Sequence, residues 1–186
     1  MRRIEIHHRE SGALLFAHEA SDGRVATALE AAARQQADLT GADLAEENLA
    51  GVAVAGIRLA GADLSGVNLA GAVLAGASLV GIDLSEANLA GADLSEANME
   101  AADLSEANLA GANMARAMLH AADLAEANLA GANLQGAMLK LADLSEANVA
   151  GTDLRAAVMT AADVEGANLR AALLEGAIDA PELGPA

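Results

Sequence analysis

Residues 37 to 176 divide into 28 consecutive five-residue units without insertion or deletion, beginning ADLTG, ADLAE, ENLAG and ending ANLRA, ALLEG. The third residue of every unit is Leu, Met or Val, and the first is mostly Ala. A chain that repeats this way must present one face every five residues. An α-helix fails that requirement, because five residues turn it by about 500° and each unit's Leu lies about 140° from the one before. Gly at the end of many units, and Asn or Asp before the Leu, also lower helix propensity. A short extended segment meets the requirement, since a strand period of two puts the first and third residues on one side. If the chain turns a corner after each segment, Ala and Leu point inward every time and the other three residues face water. Gly in fifth place suits such a corner. Units this short bury a core only by stacking on one another.

A longer rhythm sets the number of sides. In second place within the unit, Asp43, Asp63, Asp83, Asp103, Asp123, Asp143 and Asp163 recur every twenty residues, and so do Asn48, Asn68, Asn88, Asn108, Asn128, Asn148 and Asn168. Twenty residues are four units, so the expected architecture is an all-β solenoid, a four-sided coil of about seven turns. At about 4.8 Å per hydrogen-bonded strand the rod is about 34 Å long.

The four faces differ. The Asp face adds Glu46, Glu86, Glu106, Glu126 and Glu146 at its corners and Glu165 near its end, giving a candidate acidic binding strip along the whole rod. Stacked carboxylates repel, so either solvent screening makes the repulsion trivial or the strip is kept for a purpose. Duplication of a twenty-residue unit would also copy Asp without selection for charge. The next face is an Asn ladder. On the other two, outward positions turn apolar toward the end: Met118, Met138 and Val158 on one, Leu173 on its neighbour, with Leu141 at a corner.

The net charge of −17 lies entirely after residue 36, because the first 36 residues hold equal numbers of acids and bases. That balance argues against direct nucleic-acid binding, which needs Lys and Arg on the phosphates, and permits a basic partner. The absence of cysteine excludes disulfides and thiolate chemistry. Seven equivalent Asp residues supply no pair of unlike carboxyls for acid–base work, and no phosphate loop, nucleophile elbow or HExxH motif is present. The expectation is therefore a non-enzyme with no cofactor and no metal. His7, His8 and His18 are the only clustered imidazoles, and of these His8 with His18 is the pair that could approach across a hairpin. No stretch has the length and apolarity of a signal peptide or membrane span, so a cytoplasmic protein with no membrane partner is expected.

The ends need separate treatment, since a stack of coils exposes unpaired strand edges. Residues 3–9 and 13–19 read as a hairpin around Glu10-Ser11-Gly12. Ser21 or Asp22 reads as the cap of a helix carrying Val25, Leu29 and Ala32 inward and running to Gln36. The expected division is an N-terminal hairpin and helix cap over 1–36, the array over 37–176 and a short tail over 177–186. The tail leaves that end under-covered. Met118, Met138, Leu141, Val158, Leu173, Leu174 and Ile178 are accordingly a candidate dimer surface, with homodimers joined through the C-terminal end.

Units such as ADLSE, ANLAG and ANLQG match the A(D/N)LXX repeat, and the chain resembles the pentapeptide-repeat family over residues 37–176. The resemblance implies a right-handed quadrilateral β-helix. It leaves function open, since many members have no known activity. A few resemble acidic, DNA-mimicking rods that bind DNA gyrase, inhibiting it or protecting it from quinolones. Those members usually carry Phe at central positions and a C-terminal dimerising helix; here the array has no Phe and no such helix is evident. The first reading is thus a protein-interaction scaffold of unknown partner, and the alternative is the gyrase-binding mimic.

Overall fold

The computed structural model describes residues 1–180; of the expected tail 177–186, residues 181–186 lie outside the described part. Strand β1 (Arg2–His7) pairs antiparallel with β2 (Leu14–Ala20), and helix α1 (Val25–Arg34) follows. From Asp38 onward the chain makes isolated parallel bridges between residues twenty apart. They form four ladders: the Asp ladder from Asp43 to Asp163, the Asn ladder from Asn48 to Asn148, a third from Ala53 to Leu173 and a fourth from Asp38 to Ile178.

A unit with Asp or Asn in second place accounts for its own five backbone donors, as the coil needs in the absence of long strands. In Ala62–Gly66, the Ala62 N–H closes the preceding corner on the Leu59 carbonyl at 3.1 Å. The Asp63 N–H reaches back one coil to Ala42 O (2.8 Å), while the Leu64 and Gly66 N–H groups reach forward to Asp83 O (2.8 Å) and Ser85 O (2.9 Å). The fifth donor, the Ser65 N–H, goes to the Asp63 carboxylate at 3.1 Å. The second-place Asp or Asn is therefore part of the corner: it forms an Asx turn that occupies an amide no other chain segment reaches.

Every third-place residue from Leu39 to Met159 is buried, stacked with first-place Ala, Val or Ile. Thr152 takes one of the Ala sites and is fully buried; its hydroxyl donates to Leu129 O at 2.7 Å, which removes the penalty of an orphan polar group. Fifth-place residues other than Ala171 adopt positive φ, from Gly41 (70°) to Gly176 (71°). The regular pattern loosens near the end of the Asn ladder. There Asn168 offers its side-chain oxygen, not its backbone carbonyl, to the Val149 N–H (2.8 Å), and a short 3₁₀ turn spans Leu169–Ala171.

The N-terminal elements join the same core. Ile4 and Ile6 of β1 and Leu29 of α1 are buried with Leu39 and Ala42. The Asp43 N–H donates to His7 O (2.9 Å), the Arg9 N–H to Gly41 O (2.8 Å), and Arg58 Nη2 to Gln36 O beyond the helix end (2.7 Å). Two local expectations are corrected. Neither Ser21 nor Asp22 caps α1: the cap position is Arg24, without a side-chain bond, and Asp22 instead accepts the Thr27 hydroxyl at 2.7 Å and the Arg24 N–H at 3.2 Å. His8 does not meet His18, because the register sets His18 opposite Ile4. His18 stacks on Phe16, and His8 Nδ1 accepts from the Glu10 N–H (3.2 Å) in the turn.

Candidate acidic interface

The thirteen acidic residues of the strip occupy one side of the coil. Asp43, Asp63, Asp83, Asp103, Asp123, Asp143 and Asp163 are bridged in series along the rod, and the seven units that carry them contain no Lys or Arg. From Asp63 to Asp163 each carboxylate is fixed by its own corner: Asp83 Oδ1 accepts the Ser85 N–H (3.1 Å) and hydroxyl (2.7 Å), Asp103 Oδ1 the Ser105 N–H (3.0 Å) and hydroxyl (2.6 Å), and Asp123 Oδ1 the Ala125 N–H (2.9 Å). Burial pushes the Asp63 carboxyl up, but the Ser65 hydroxyl and amide push it further down, and the nearby Arg9 charge acts in the same sense. Its net position is below the ordinary carboxylate range, so the group stays ionised well into acid.

The corner column beside it decides how the strip is to be understood. Glu46, Glu86, Glu106, Glu126 and Glu146 are all exposed, with φ of 57–59°. That is the left-handed region, which costs a residue with a Cβ on the order of 1 kcal/mol and costs glycine nothing. One corner further round the same coils, the equivalent places hold Gly51, Gly71, Gly91, Gly111, Gly131 and Gly151. The backbone is thus relieved at that corner and strained at the acidic one, as it also is at Glu96, Arg116 and Ala156 on the third corner and at Ala101, Ala121, Leu141 and Ala161 on the fourth. Glu46 leans toward Gly66, its Cγ 3.6 Å from where a Cβ would stand, and the Glu146 carboxylate occupies the place a Cβ on Gly166 would take. Gly166 thus makes room for Glu146, whereas the approach of Glu46 to Gly66 is ordinary van der Waals contact. Glu165 is exposed at the end of the strip, its N–H on Asp163 Oδ1 (3.0 Å).

The Asn face is chemically different. Each Asn Nδ2 donates to the Asn Oδ1 one coil earlier, from Asn68 on Asn48 (3.2 Å) to Asn168 on Asn148 (3.4 Å), forming an amide chain the length of the rod. A carboxylate has no proton to pass on in this way. Elsewhere charge is locally matched, as in Arg116 with Glu96 (3.4 Å) and Arg155 with Asp153 (2.6 Å).

The apolar candidates separate. Met118, Met138, Val158 and Ile178 follow one another on the fourth ladder, Leu141 stands on the corner toward the Asp face, and Leu173 stands on the third ladder. Leu174 is a third-place residue packed inward against the core. Among the described residues no group of three or more His, Cys, Asp or Glu is placed to hold a metal ion, and no helix is long and apolar enough to cross a membrane. What sequence reasoning missed is the corner strain. Residues other than Gly in fifth place, these Glu among them, were its signal, and the backbone shows that they adopt the glycine conformation.

The family model for pentapeptide repeats matches eight copies in this chain, over residues 55–89, 82–120, 97–136 and 137–176. Among solved structures, the chain is similar to HetL, a pentapeptide repeat protein involved in heterocyst differentiation regulation from the cyanobacterium Nostoc sp. strain PCC 7120, at 27% identity over 76% of this chain and 86% of that one, with a TM-score of 0.43. It is similar to a trypsin-treated form of QnrB1, a plasmid-mediated fluoroquinolone resistance protein, at 18% identity over 73% and 78%, with a TM-score of 0.42. A third is alr5209, a pentapeptide repeat protein from Nostoc PCC 7120, at 28% identity over 82% and 96%, with a TM-score of 0.26. No curated protein matches this chain.

Proposed function

The chain belongs to the pentapeptide-repeat family of right-handed β-helices, and from that premise we propose that it is a non-catalytic protein-binding rod whose acidic strip receives a basic surface of its partner. The observation that carries this reading is the column Glu46, Glu86, Glu106, Glu126 and Glu146 in a backbone conformation that glycine would hold without strain. Repeat duplication explains why the residues are alike. Other corners also hold residues with a Cβ at positive φ, such as Ala101, Arg116 and Leu141, but this column alone fills five of its seven places with one sign of charge. With seven Asp residues beside it and no cation in the same units, the strip attracts a basic protein over distances near the Debye length and repels nucleic acid.

A narrower second reading is a DNA mimic that occupies the DNA-binding saddle of gyrase, inhibiting the enzyme or protecting it from quinolones. The straight row of carboxylates on a rod of about one B-DNA turn favours it; the lack of Phe in the array stands against it. One experiment separates the two: gyrase supercoiling assayed across a titration of the protein, and again with Asp83, Asp103, Asp123 and Asp143 changed to Asn. Asn makes the same Asx bond on the adjacent face, so the variant keeps its corners. Dose-dependent inhibition or quinolone protection that vanishes in the Asn variant selects the mimic. No effect of either protein at low salt removes gyrase and leaves the scaffold with another basic partner.

A further inference from the structure

The fourth face changes character along the rod. Its outward residues are Asp38, Arg58, Ser78 and Asn98 in the first half, then Met118, Met138, Val158 and Ile178 in consecutive bridges. Met138, Leu141, Leu173 and Ile178 are 49%, 52%, 52% and 53% exposed. Apolar residues in second place also give something up. Asp or Asn there would accept the N–H of the residue two places on, whereas Met138 and Val158 bring no oxygen to Lys140 and Thr160.

This ladder is flanked unevenly by charge. On one side, across the Leu141 corner, Asp123 and Asp143, with no ion-pair partner among the described residues, stand in the same coils as Met118 and Met138; on the other side Arg116 and, on the third face, Arg155 are matched by Glu96 and Asp153. The rungs rise by about 4.8 Å, close to the 5.4 Å pitch of an α-helix. A helix laid along the rod therefore sets about one side chain per turn on each rung, and about ten residues cover the four rungs from Met118 to Ile178.

We infer that this face docks an amphipathic α-helix of a partner protein, its apolar stripe on Met118, Met138, Val158 and Ile178 and its Lys- or Arg-rich flank over the acidic strip. The inference rests on the strip being a site for a basic partner, and it adds a form of secondary structure and an orientation to that site. Charge complementarity supplies the orientation: the basic flank lies toward Asp123 and Asp143 and away from Arg116. Lys140, exposed between the ladder and the strip, is a cation on the path of that flank and weakens the attraction there.

Two synthetic peptides of about fifteen residues, made only of Leu and Lys in equal composition, test this. One spaces Leu at i, i+3, i+4 and i+7 on a single helical face; the other is scrambled so that no apolar face forms. Fluorescence anisotropy against the full chain at about 0.1 M salt reads affinity, and circular dichroism reads helicity. The amphipathic peptide is expected to bind at least about tenfold more tightly than the scrambled one and to gain helix on binding. Combining Met138→Asn with Val158→Asn, which restores the oxygen acceptor at both corners, is expected to reduce its affinity to that of the scrambled peptide. Lys140→Gln is expected to tighten it. Equal binding of the two peptides, or an unchanged affinity in the folded Asn variant, overturns the docked helix while the acidic strip keeps its basic partner. Failure of both peptides to bind overturns the strip as well. A scattering mass of twice 18.5 kDa that the Asn variant returns to a single chain overturns the helix in favour of a second copy on this face.

Discussion

Glu106 stands with φ of 58°, where a Cβ crowds the backbone, and its carboxylate faces water beside its equivalents one coil away. Both features work against the folded state, so Glu106→Gly is expected to stabilise the protein by about 1 kcal/mol. A urea midpoint raised at unchanged slope would register the gain; a lowered midpoint would show that the corner is not strained. Asp63 sets the acid limit in the opposite sense. Its folded pKa is depressed, so the stability it contributes is complete above the ordinary value of about 4 and is lost as pH falls through the lower folded value. Asp38, held down first by the Thr40 hydroxyl and then by the Thr40 amide, adds the same sign. Asp63→Asn retains an oxygen for the Ser65 N–H but cannot titrate. It is expected to flatten the fall of the urea midpoint below about pH 4, and an identical acid limb in the variant would assign that fall to other carboxylates.

The Asn ladder shows how much an element can depend on one atom type. Asn108 donates to Asn88 (3.2 Å), accepts from Asn128 (3.2 Å) and closes its own corner on the Ala110 N–H (3.3 Å). Asn108→Ala removes all three bonds and is expected to cost about 1–3 kcal/mol, with Asn108→Asp between it and the parent because only the donation to Asn88 is lost. Thermal unfolding of the two variants in that order checks the assignment. The ladder was legible as a spacing, and inward Leu39 to Met159 were legible from the strand period alone, since both are fixed by repetition. Features fixed by one local competition were not. The start of α1 turned on whether Asp22 would reach the helix amides or the Thr27 hydroxyl, and a sequence does not decide that. The acidic strip was legible as a list of residues, yet its conformational strain was invisible until φ was known, because Gly and Glu share that corner.

For the whole molecule the charge of −17 is distributed on a rod, with thirteen of its acids on one side. Raising salt shortens the Debye length from about 10 Å at 0.1 M to about 3 Å at 1 M, so the melting temperature is expected to rise across that range. The variant with Asp83, Asp103, Asp123 and Asp143 changed to Asn should melt higher at 0.1 M and respond less to salt. Equal salt responses of the two proteins would place the repulsion outside the strip. The repetition of the same bonds from unit to unit has a different kind of consequence, for what the chain can lose or gain in length. Excising 102–106 is expected to leave every later third-place residue pointing inward, because successive units share one backbone pattern. It would also rotate all that follows by a quarter turn, bringing Asn108 under Asp83 and moving Asp123 to the column of Asn98. Excising 102–121 would instead shorten the rod by one rung of about 4.8 Å with every face in line. The interior therefore keeps a frame of five and the exterior a frame of twenty, and a deletion can be silent in the first while scrambling the second.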